Sequence, residues 1–342
     1  MKIFDITDIE FNGVKVDSLK EFQHEKILVC EDKKCNFLSI IAIHSTETGP
    51  AIGGCRYKEY DSYEEGLKDV LLLSQSMTLK NNIVNVPFGG GKAIIFKNKT
   101  NIEFNSKLKI FAKFLNYLNG KYLSAEDIGV TLKDIHYISK YTDFVLDNVD
   151  PGPYTAKGIF YSIKHIANDF LNKDLSSTSI LVQGAGSVGL NLSKYLLEHN
   201  SKVFIIDHDK NKEDKAIRLG CIKAKNIFIK NVDVLSPCAT GRLLNAESIP
   251  RLKCKAIVGG ANNQLSNNAD ADLLLKQEIL YIPDFLINSG GVLGLTKDLL
   301  SKNDDVIEQD LMNIGKLVSK VIIEANDLSV HPLQYVEQNL LN

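Results

Sequence analysis

Apolar and polar positions change rhythm several times along this chain. Ile27-Leu28-Val29-Cys30 and Phe37-Leu38-Ser39-Ile40-Ile41-Ala42-Ile43-His44 are short apolar runs set apart by polar residues, and they predict a pair of strands. Ser62 and Glu65 have the spacing of a capping box. Behind them Leu67, Val70, Leu71, Ser74 and Met77 fall on one helical face, which runs out near Lys80. Strands are expected next at 83–86 and, past three glycines, at 93–96. A helix opening at Ser106 turns Leu108, Phe111, Leu115 and Leu118 inward and closes at Asn119-Gly120. A short strand from Tyr122 runs into a loop through Gly129, and Thr131 caps one more helix with Leu132, Ile135 and Ile138 inward.

The grammar changes after Asp147-Asn148-Val149-Asp150-Pro151-Gly152-Pro153, a polar stretch with two prolines and a glycine. Strand and helix patterns then alternate, as in βαβ units. A helix is expected over about 155–171, with Ile159, Ile163, Ile166 and Phe170 on one face. A strand at 179–183 runs into Gly184-Ala185-Gly186-Ser187-Val188-Gly189, then a helix, then a strand at 203–206 that ends at Asp207. Further strand-like runs lie at 232–235, 256–258 and 280–282, and a long helix near 304–326 presents Ile307, Leu311, Ile314, Val318 and Val321. The expected fold is α/β in two domains. The first, 1–145, is an α/β substrate and catalytic domain; the second, 146–290, is a Rossmann dinucleotide-binding domain. A catalytic cleft is expected between them, and the segment 291–342 is expected to pack back.

Composition narrows the classes. The 342 residues are 44% hydrophobic and 24% charged, which is ordinary for a globular chain of about two domains. A net charge of −2 gives no electrostatic case for nucleic acid or an anionic membrane. No apolar run reaches the roughly 18 residues that span a bilayer. The first residues, Met1 to Asp8, carry acidic groups where a signal peptide has an apolar core. The six cysteines are scattered without a C-x-x-C pair, and the seven histidines form no H-E-x-x-H. Neither a metal site nor a disulfide framework is indicated; reduced thiols and a cytoplasmic location are expected.

Two lysines carry the candidate chemistry. Lys92 follows Gly89-Gly90-Gly91, a stretch without Cβ atoms that a ligand can approach closely. Lys80 closes the preceding helical pattern and is expected to share the pocket. Two neighbouring ammonium groups depress one another's pKa, and desolvation adds to this, which brings a lysine to roughly 7–8 where it serves as a base. The stretch is not a P-loop, because Ala93 stands where Ser or Thr is required. In the second half, the G-x-G-x-x-G of Gly184, Gly186 and Gly189 has its required context of strand before and helix after. Gly184 permits the tight turn, Gly186 lets the backbone approach a pyrophosphate, and Gly189 allows close helix–strand packing. Ala185, Ser187 and Val188 complete that turn, and the helix start offers free N–H groups to the anion. Asp207 would bind the adenosine ribose and repel a 2′-phosphate; with His208 and Asp209 beside it and no arginine, NAD is preferred to NADP.

These segments, taken together, resemble the glutamate, leucine, phenylalanine and valine dehydrogenases, with leucine dehydrogenase the nearest likeness. The resemblance rests on Gly49-Pro50-Ala51-Ile52-Gly53-Gly54-Cys55-Arg56, Met77-Thr78-Leu79-Lys80-Asn81, Gly89-Gly90-Gly91-Lys92-Ala93 and Ala125-Glu126-Asp127-Ile128-Gly129. Later pieces are Pro237-Cys238-Ala239, Gly260-Ala261-Asn262-Asn263-Gln264-Leu265 and Pro283-Asp284-Phe285-Leu286-Ile287-Asn288-Ser289-Gly290-Gly291. It spans about residues 25–325. What it implies is reversible oxidative deamination: an L-amino acid, NAD⁺ and water interconvert with a 2-oxo acid, ammonium and NADH. By the same resemblance Lys80, with Asn288, would hold the substrate carboxylate. Lys92 would activate water and polarise the carbonyl, and Asp127 would move a proton to and from the nitrogen. Ile52, Gly53, Gly54, Met77 and Ala125 would meet the substrate; Thr155, Cys238, Ala239, Asn262 and Asn263 would meet the cofactor.

Ile52 stands where the glutamate enzymes place a lysine, and an apolar wall leaves a second carboxylate unpaired, so a branched-chain aliphatic substrate is expected. A phenylalanine or tryptophan dehydrogenase of the same family and a non-catalytic NAD- or amino-acid-binding regulator remain the alternatives. The chain departs from the family pattern at Gln75-Ser76, in a short 147–154 segment and in ending soon after its long helix; these bear on substrate range and assembly. Its other partners would be further copies of itself, as a homo-oligomer, with no nucleic acid and no membrane.

Overall fold

The computed structural model describes residues 1–8, 10–11, 14–15, 23–98, 102–228, 231–239 and 241–340. The chain folds as two units, Met1–Asp150 and Pro151–Asn342.

The first unit contains β1 (Lys2–Asp5), the small hairpin β2 (Glu10–Phe11) and β3 (Val14–Lys15), β4 (Lys26–Asp32), β5 (Phe37–Ser45), β6 (Ala51–Lys58), α1 (Tyr63–Ile83), β7 (Gly89–Phe96), α2 (Phe104–Leu118), β8 (Tyr122–Ala125) and α3 (Leu132–Ile138). Six strands form one mixed sheet in the order β1-β4-β5-β7-β6-β8. The first four run antiparallel to their neighbours, and β7, β6 and β8 run parallel. Strand alternation sends successive side chains to opposite faces. Ile27, Val29, Ile40, Ala42 and Ile94 therefore meet Leu67, Val70 and Leu71 of α1 in one core. Leu28, Cys30, Ile41, Ile43 and Ala93 meet Leu108, Phe111 and Leu115 of α2 and Ile135 and Ile138 of α3 in the other.

Several local expectations change. The stretch 83–86 is not a strand: α1 continues through Ile83, and Asn85 takes a left-handed φ of 51° in the turn that follows. The strand expected at 93–96 begins earlier, with the three glycines as the first residues of β7. A Cβ on Gly90 would lie 2.1 Å from the Thr78 backbone nitrogen, and one on Gly89 would lie 1.9 Å from the Ser45 carbonyl oxygen. Close passage of α1 and of neighbouring backbone across the strand thus demands these glycines. β6 had no strand signal in the sequence, because Gly53 and Gly54 interrupt its apolar run. The helix expected to open at Ser106 starts at Phe104, behind Glu103. The Thr131 cap holds, and Asp134 completes a reciprocal capping box there. At Ser62 only half of the box forms, since Glu65 accepts from the Asp61 N–H instead.

The second unit contains α4 (Gly152–Asp169), β9 (Ser179–Gln183), α5 (Ser187–Glu198), β10 (Lys202–Ile206), α6 (Lys210–Arg218), β11 (Ile222–Lys223), β12 (Val232–Pro237), β13 (Cys254–Ile257), α7 (Asp270–Lys276), β14 (Leu280–Tyr281), α8 (Asp284–Ile287), α9 (Gly290–Thr296), α10 (Asp304–Asp327) and α11 (Pro332–Asn339). Its six strands are all parallel, in the order β11-β10-β9-β12-β13-β14. Strand order reverses between β9 and β12, the switch point at whose carboxyl ends doubly wound sheets bind ligands. The helix α10 buries Ile307, Leu311, Ile314, Val318 and Val321, the face read from its periodicity. It crosses α4 closely: a Cβ on Gly315 would lie 2.8 Å from the Tyr161 carbonyl oxygen.

Candidate active site

On β6 and β7, residues 52, 54 and 56 and residues 90, 92 and 94 project to the face covered by α1, as the pairings Ile52↔Gly90 and Arg56↔Ile94 place them. At Gly54 the absence of a side chain leaves room for its neighbours: a Cβ there would sit 2.8 Å from the Asp127 Cβ and 3.2 Å from Lys92 Nζ. Lys92 Nζ lies 2.8 Å from Asp127 Oδ2. Lys92 is only 6% exposed. Ala125 pairs with Gly54 across β8 and β6, and Met77 packs 3.4 Å from where a Gly53 Cβ would stand. Lys80 follows Met77 by one turn of α1 and is buried. Ile52 is buried completely in the same strand. The structure therefore gathers Ile52, Gly53, Gly54, Met77, Lys92, Ala125 and Asp127 in one corner of the first unit.

A tight turn presents Asp127. Its N–H donates to the Val130 carbonyl at 3.1 Å and its carbonyl accepts from the Val130 N–H at 2.9 Å. The turn docks on β6 through the Tyr57 N–H, which donates to the Ile128 carbonyl at 2.8 Å. Gly129 has φ +77°, and a Cβ there would fall 2.1 Å from the Tyr57 carbonyl oxygen, so glycine is required on both counts. Burial disfavours the charged form of Asp127, but Lys92, Arg56 and the Ile128 N–H outweigh it and hold the carboxyl well below the usual range.

Arg56 had no role in the sequence reading, though it closes one of the quoted motifs. Its Nε donates to Asp127 Oδ2 at 3.1 Å and its Nη1 to Asp69 Oδ2 at 2.9 Å. Tyr60 Oη donates to the same Asp69 oxygen at 2.7 Å. The available signal was the alternation of 52, 54 and 56 on one strand face, invisible until β6 is recognised as a strand.

In the second unit, β9 turns into α5 at the glycine motif. Gly184 has φ +100° and donates to the Ile206 carbonyl at 2.8 Å. A Cβ on Gly184 would meet Ala239 Cβ at 2.8 Å, and one on Gly189 would stand 1.9 Å from the Gly184 carbonyl oxygen. At Gly186, the N-cap of α5, a Cβ meets nothing within 4 Å. That open space, in front of the N-terminus of α5, suits a pyrophosphate. Asp207 Oδ2 accepts from the Ala185 N–H at 2.6 Å and Oδ1 from the Asp209 N–H at 2.7 Å. Burial opposes its charge, and those two N–H groups outweigh it and lower its pKa. Gly184, Asp207, Asn226, Ile227 and Ala239 line a cavity of about 410 Å³. This unit fits a dinucleotide by its cradle and its fixed carboxylate.

The remaining cofactor candidates lie near this sheet edge. Cys238 donates its N–H to the Gln183 carbonyl at 2.7 Å, and Asn263, with φ 53°, donates its N–H to Asp284 Oδ2 at 2.7 Å. The Thr155 hydroxyl donates to the Pro151 carbonyl at 3.0 Å. Asn288, also in the second unit, donates to the Gly260 carbonyl at 3.3 Å and to Asn262 Oδ1 at 2.9 Å. Its Oδ1 is buried with no hydrogen-bond partner among the described residues. Among those residues no group of three or more His, Cys, Asp or Glu is arranged to hold a metal ion, and no helix is long and apolar enough to cross a membrane.

Comparison with known proteins identifies the class. Residues 24–144 match the family model for the Glu/Leu/Phe/Val dehydrogenase dimerisation domain, and residues 205–313 match the model for glutamate/leucine/phenylalanine/valine dehydrogenase. The L-tryptophan dehydrogenase of Nostoc punctiforme is 36% identical over 307 residues, 87% of each chain. The leucine dehydrogenase of Geobacillus stearothermophilus is 35% identical over 314 residues, 87% of this chain and 86% of that one. The crystal structure of the Nostoc punctiforme tryptophan dehydrogenase superposes with a TM-score of 0.78 at 34% identity, over 94% of this chain and 96% of that one. Fold and relatives define an oxidoreductase, an amino-acid dehydrogenase. The chain belongs to the Glu/Leu/Phe/Val dehydrogenase family, whose members work with a nicotinamide dinucleotide.

Proposed function

We propose that this dehydrogenase carries out the reversible oxidative deamination of a branched-chain aliphatic L-amino acid with NAD. The observation that carries the reading is the ion pair of the buried Lys92 with Asp127 next to β6, the strand that carries the fully buried Ile52. An ammonium and a carboxylate held together out of water are a proton-handling pair, and general acid–base groups of this kind contribute roughly 10²–10⁴ in rate.

Lys80 holds the substrate carboxylate. Asp127, a carboxylate in the resting site, accepts the proton that leaves the substrate nitrogen. After loss of the Cα hydride, Lys92 in its neutral amine form takes a proton from the water that attacks the resulting imine carbon, Asp127 returns its proton to the nitrogen, and ammonia departs to leave the 2-oxo acid. NAD, when bound, supplies the hydride acceptor. The chain's own part there is the Gly186 cradle for the pyrophosphate and Asp207, whose fixed negative charge disfavours the 2′-phosphate of NADP. Ile52 offers no partner to a side-chain carboxylate, so glutamate is disfavoured by the cost of an unpaired charge. The reading extends to a homo-oligomer in the cytoplasm, in keeping with the dimerisation-domain match.

An aromatic substrate is the second reading, favoured by the 36% identity to the Nostoc punctiforme tryptophan dehydrogenase. The deciding measurement is NADH absorbance with NAD⁺ and leucine, isoleucine, valine, phenylalanine, tryptophan and glutamate. Highest kcat/KM on a branched-chain member supports the first reading, and an aromatic preference replaces it with the second. No turnover in either direction removes both and leaves a binding protein.

A further inference from the structure

Asp127 receives two cations on a single oxygen. Lys92 Nζ at 2.8 Å and Arg56 Nε at 3.1 Å both reach Oδ2. The two differ in kind: a lysine can give up its proton, whereas a guanidinium stays charged throughout the working pH range. Arg56 is 7% exposed, and its planar fork is held on a second edge by Asp69, which Tyr60 also engages. These residues come from β6, from β7, from α1, from the segment between β6 and α1 and from the Asp127 turn, so one largely buried chain of contacts runs Tyr60, Asp69, Arg56, Asp127, Lys92.

Charge balance gives this chain its meaning. If Lys92 were the sole counter-ion, Asp127 would be left as an uncompensated buried anion whenever Lys92 released its proton, and would tend to take that proton itself. We infer that Arg56 is a positioning residue for the reaction: a permanent cation, anchored by Asp69 and Tyr60, that fixes Asp127 and returns it to its charged form after each proton transfer. Asp69 tempers this by neutralising part of the guanidinium charge. The inference rests on the assignment of Lys92 and Asp127 to proton handling. The other titratable groups that act on Asp127 are Cys55 on β6, Tyr122 on β8 and the adjacent Glu126. As a neutral thiol, a neutral phenol and an anion, they do not replace Arg56.

The test is a carboxyl ¹³C NMR titration of the full-length protein labelled at aspartate, with the Asp127 signal assigned by its loss in Asp127→Asn. In the wild type that signal should stay in the ionised position down to about pH 4, below which the ordinary carboxyl range begins. Arg56→Gln should bring a titration into the range above pH 4, and Arg56→Lys, which keeps the charge, should not. Asp69→Asn should leave the signal ionised but lower kcat roughly ten- to a hundredfold with little change in KM, because the fork loses its anchor. A folded Arg56→Gln whose Asp127 signal matches the wild type overturns the inference. Should Arg56→Gln not fold, wild-type kcat and pH–rate profile in Asp69→Asn and Tyr60→Phe overturn it instead. The titration needs no turnover, so an enzyme silent on every amino acid refutes the proposed reaction while the signal still decides the role of Arg56.

Discussion

The charged corner of the first unit and the glycine turn of the second are built by opposite means. In the corner, Arg56 and Lys92 come from within two strands, Asp127 from the turn after a third and Asp69 from a helix, and their side-chain charges neutralise one another. In the turn, six consecutive residues from Gly184 to Gly189 present backbone and an absence of side chains instead. A side-chain site of the first kind depends on long-range placement, so it fails by loss of a charge. A backbone site of the second kind depends on local geometry, so it fails by gain of an atom.

The largest expected effect comes from removing the charge. Lys92→Ala should lower kcat by about a thousandfold, within the span typical of acid–base groups, while NAD affinity measured by NADH fluorescence stays as in the wild type. Equal losses in both would show that the two regions do not act separately. The next comes from adding an atom. Gly186→Val fills the open space before α5 and should weaken NAD binding roughly tenfold with an unchanged Tm. Gly189→Ala places a methyl against the Gly184 carbonyl and should cost about 1–3 kcal/mol of stability, read as a Tm lowered by several degrees. If Gly186→Val lost stability and kept affinity, the assignment of that space to a ligand would be wrong.

Asp207→Ser should shift the preference between NAD and NADP roughly tenfold towards NADP, measured as the ratio of kcat/KM values, since it removes the charge proposed to face the ribose. A ratio that does not move would sink the ribose assignment. The smallest effect sharpens the contrast by showing what a buried carboxylate does away from any site. Asp233 accepts from Lys173 at 2.8 and 2.9 Å and from the Ser179 N–H and hydroxyl at 3.0 and 2.9 Å. Burial disfavours its charge, yet these donors and Lys255 hold its pKa at about 2 against an ordinary 3.8. A folded-state value below the unfolded one means that the unfolded chain binds the proton more readily. The stabilisation is therefore complete above pH 3.8 and is lost as pH falls through about 2. Asp233→Asn should lower Tm at neutral pH and flatten its fall between pH 4 and 2; parallel curves would deny the linkage.

Much of both regions was legible, for different reasons. The helix faces of α2 and α10 and the strand runs of β4, β5, β9 and β10 follow the apolar period, because burial of a regular element selects side chains at its own repeat. The Gly184–Gly189 motif was legible because a turn's backbone requirement falls on residues adjacent in sequence. The separate roles of Lys92 and Asp127 come only through family resemblance, and neither their ion pair nor the contact of Arg56 with Asp127 is visible in the sequence. β6 was hidden because Gly53 and Gly54 answer to Met77, Asp127 and Lys92 rather than to a strand's own propensity. The stretch 83–86 misled for the converse reason: three β-branched residues with strand propensity lie where α1 and its closing turn are held by the sheet. Asn81 Nδ2, donating to the Gly89 carbonyl at 2.7 Å, ties that helix end to β7.

By itself the sequence determined the α/β class, the periodic core positions, the glycine turn between β9 and α5 with Asp207 beside it, and, through its ordered motifs, the dehydrogenase family. These are features whose physical requirements are met by neighbours along the chain or by a fixed repeat. Only the tertiary structure decided that the triple glycine is a strand pressed by a helix, that β6 lies at the heart of the corner, and that one oxygen of Asp127 is shared by Lys92 and Arg56. Electrostatic interactions fall off with distance in space and not with separation in sequence, so the partners of a buried charge appear only when the fold brings them together.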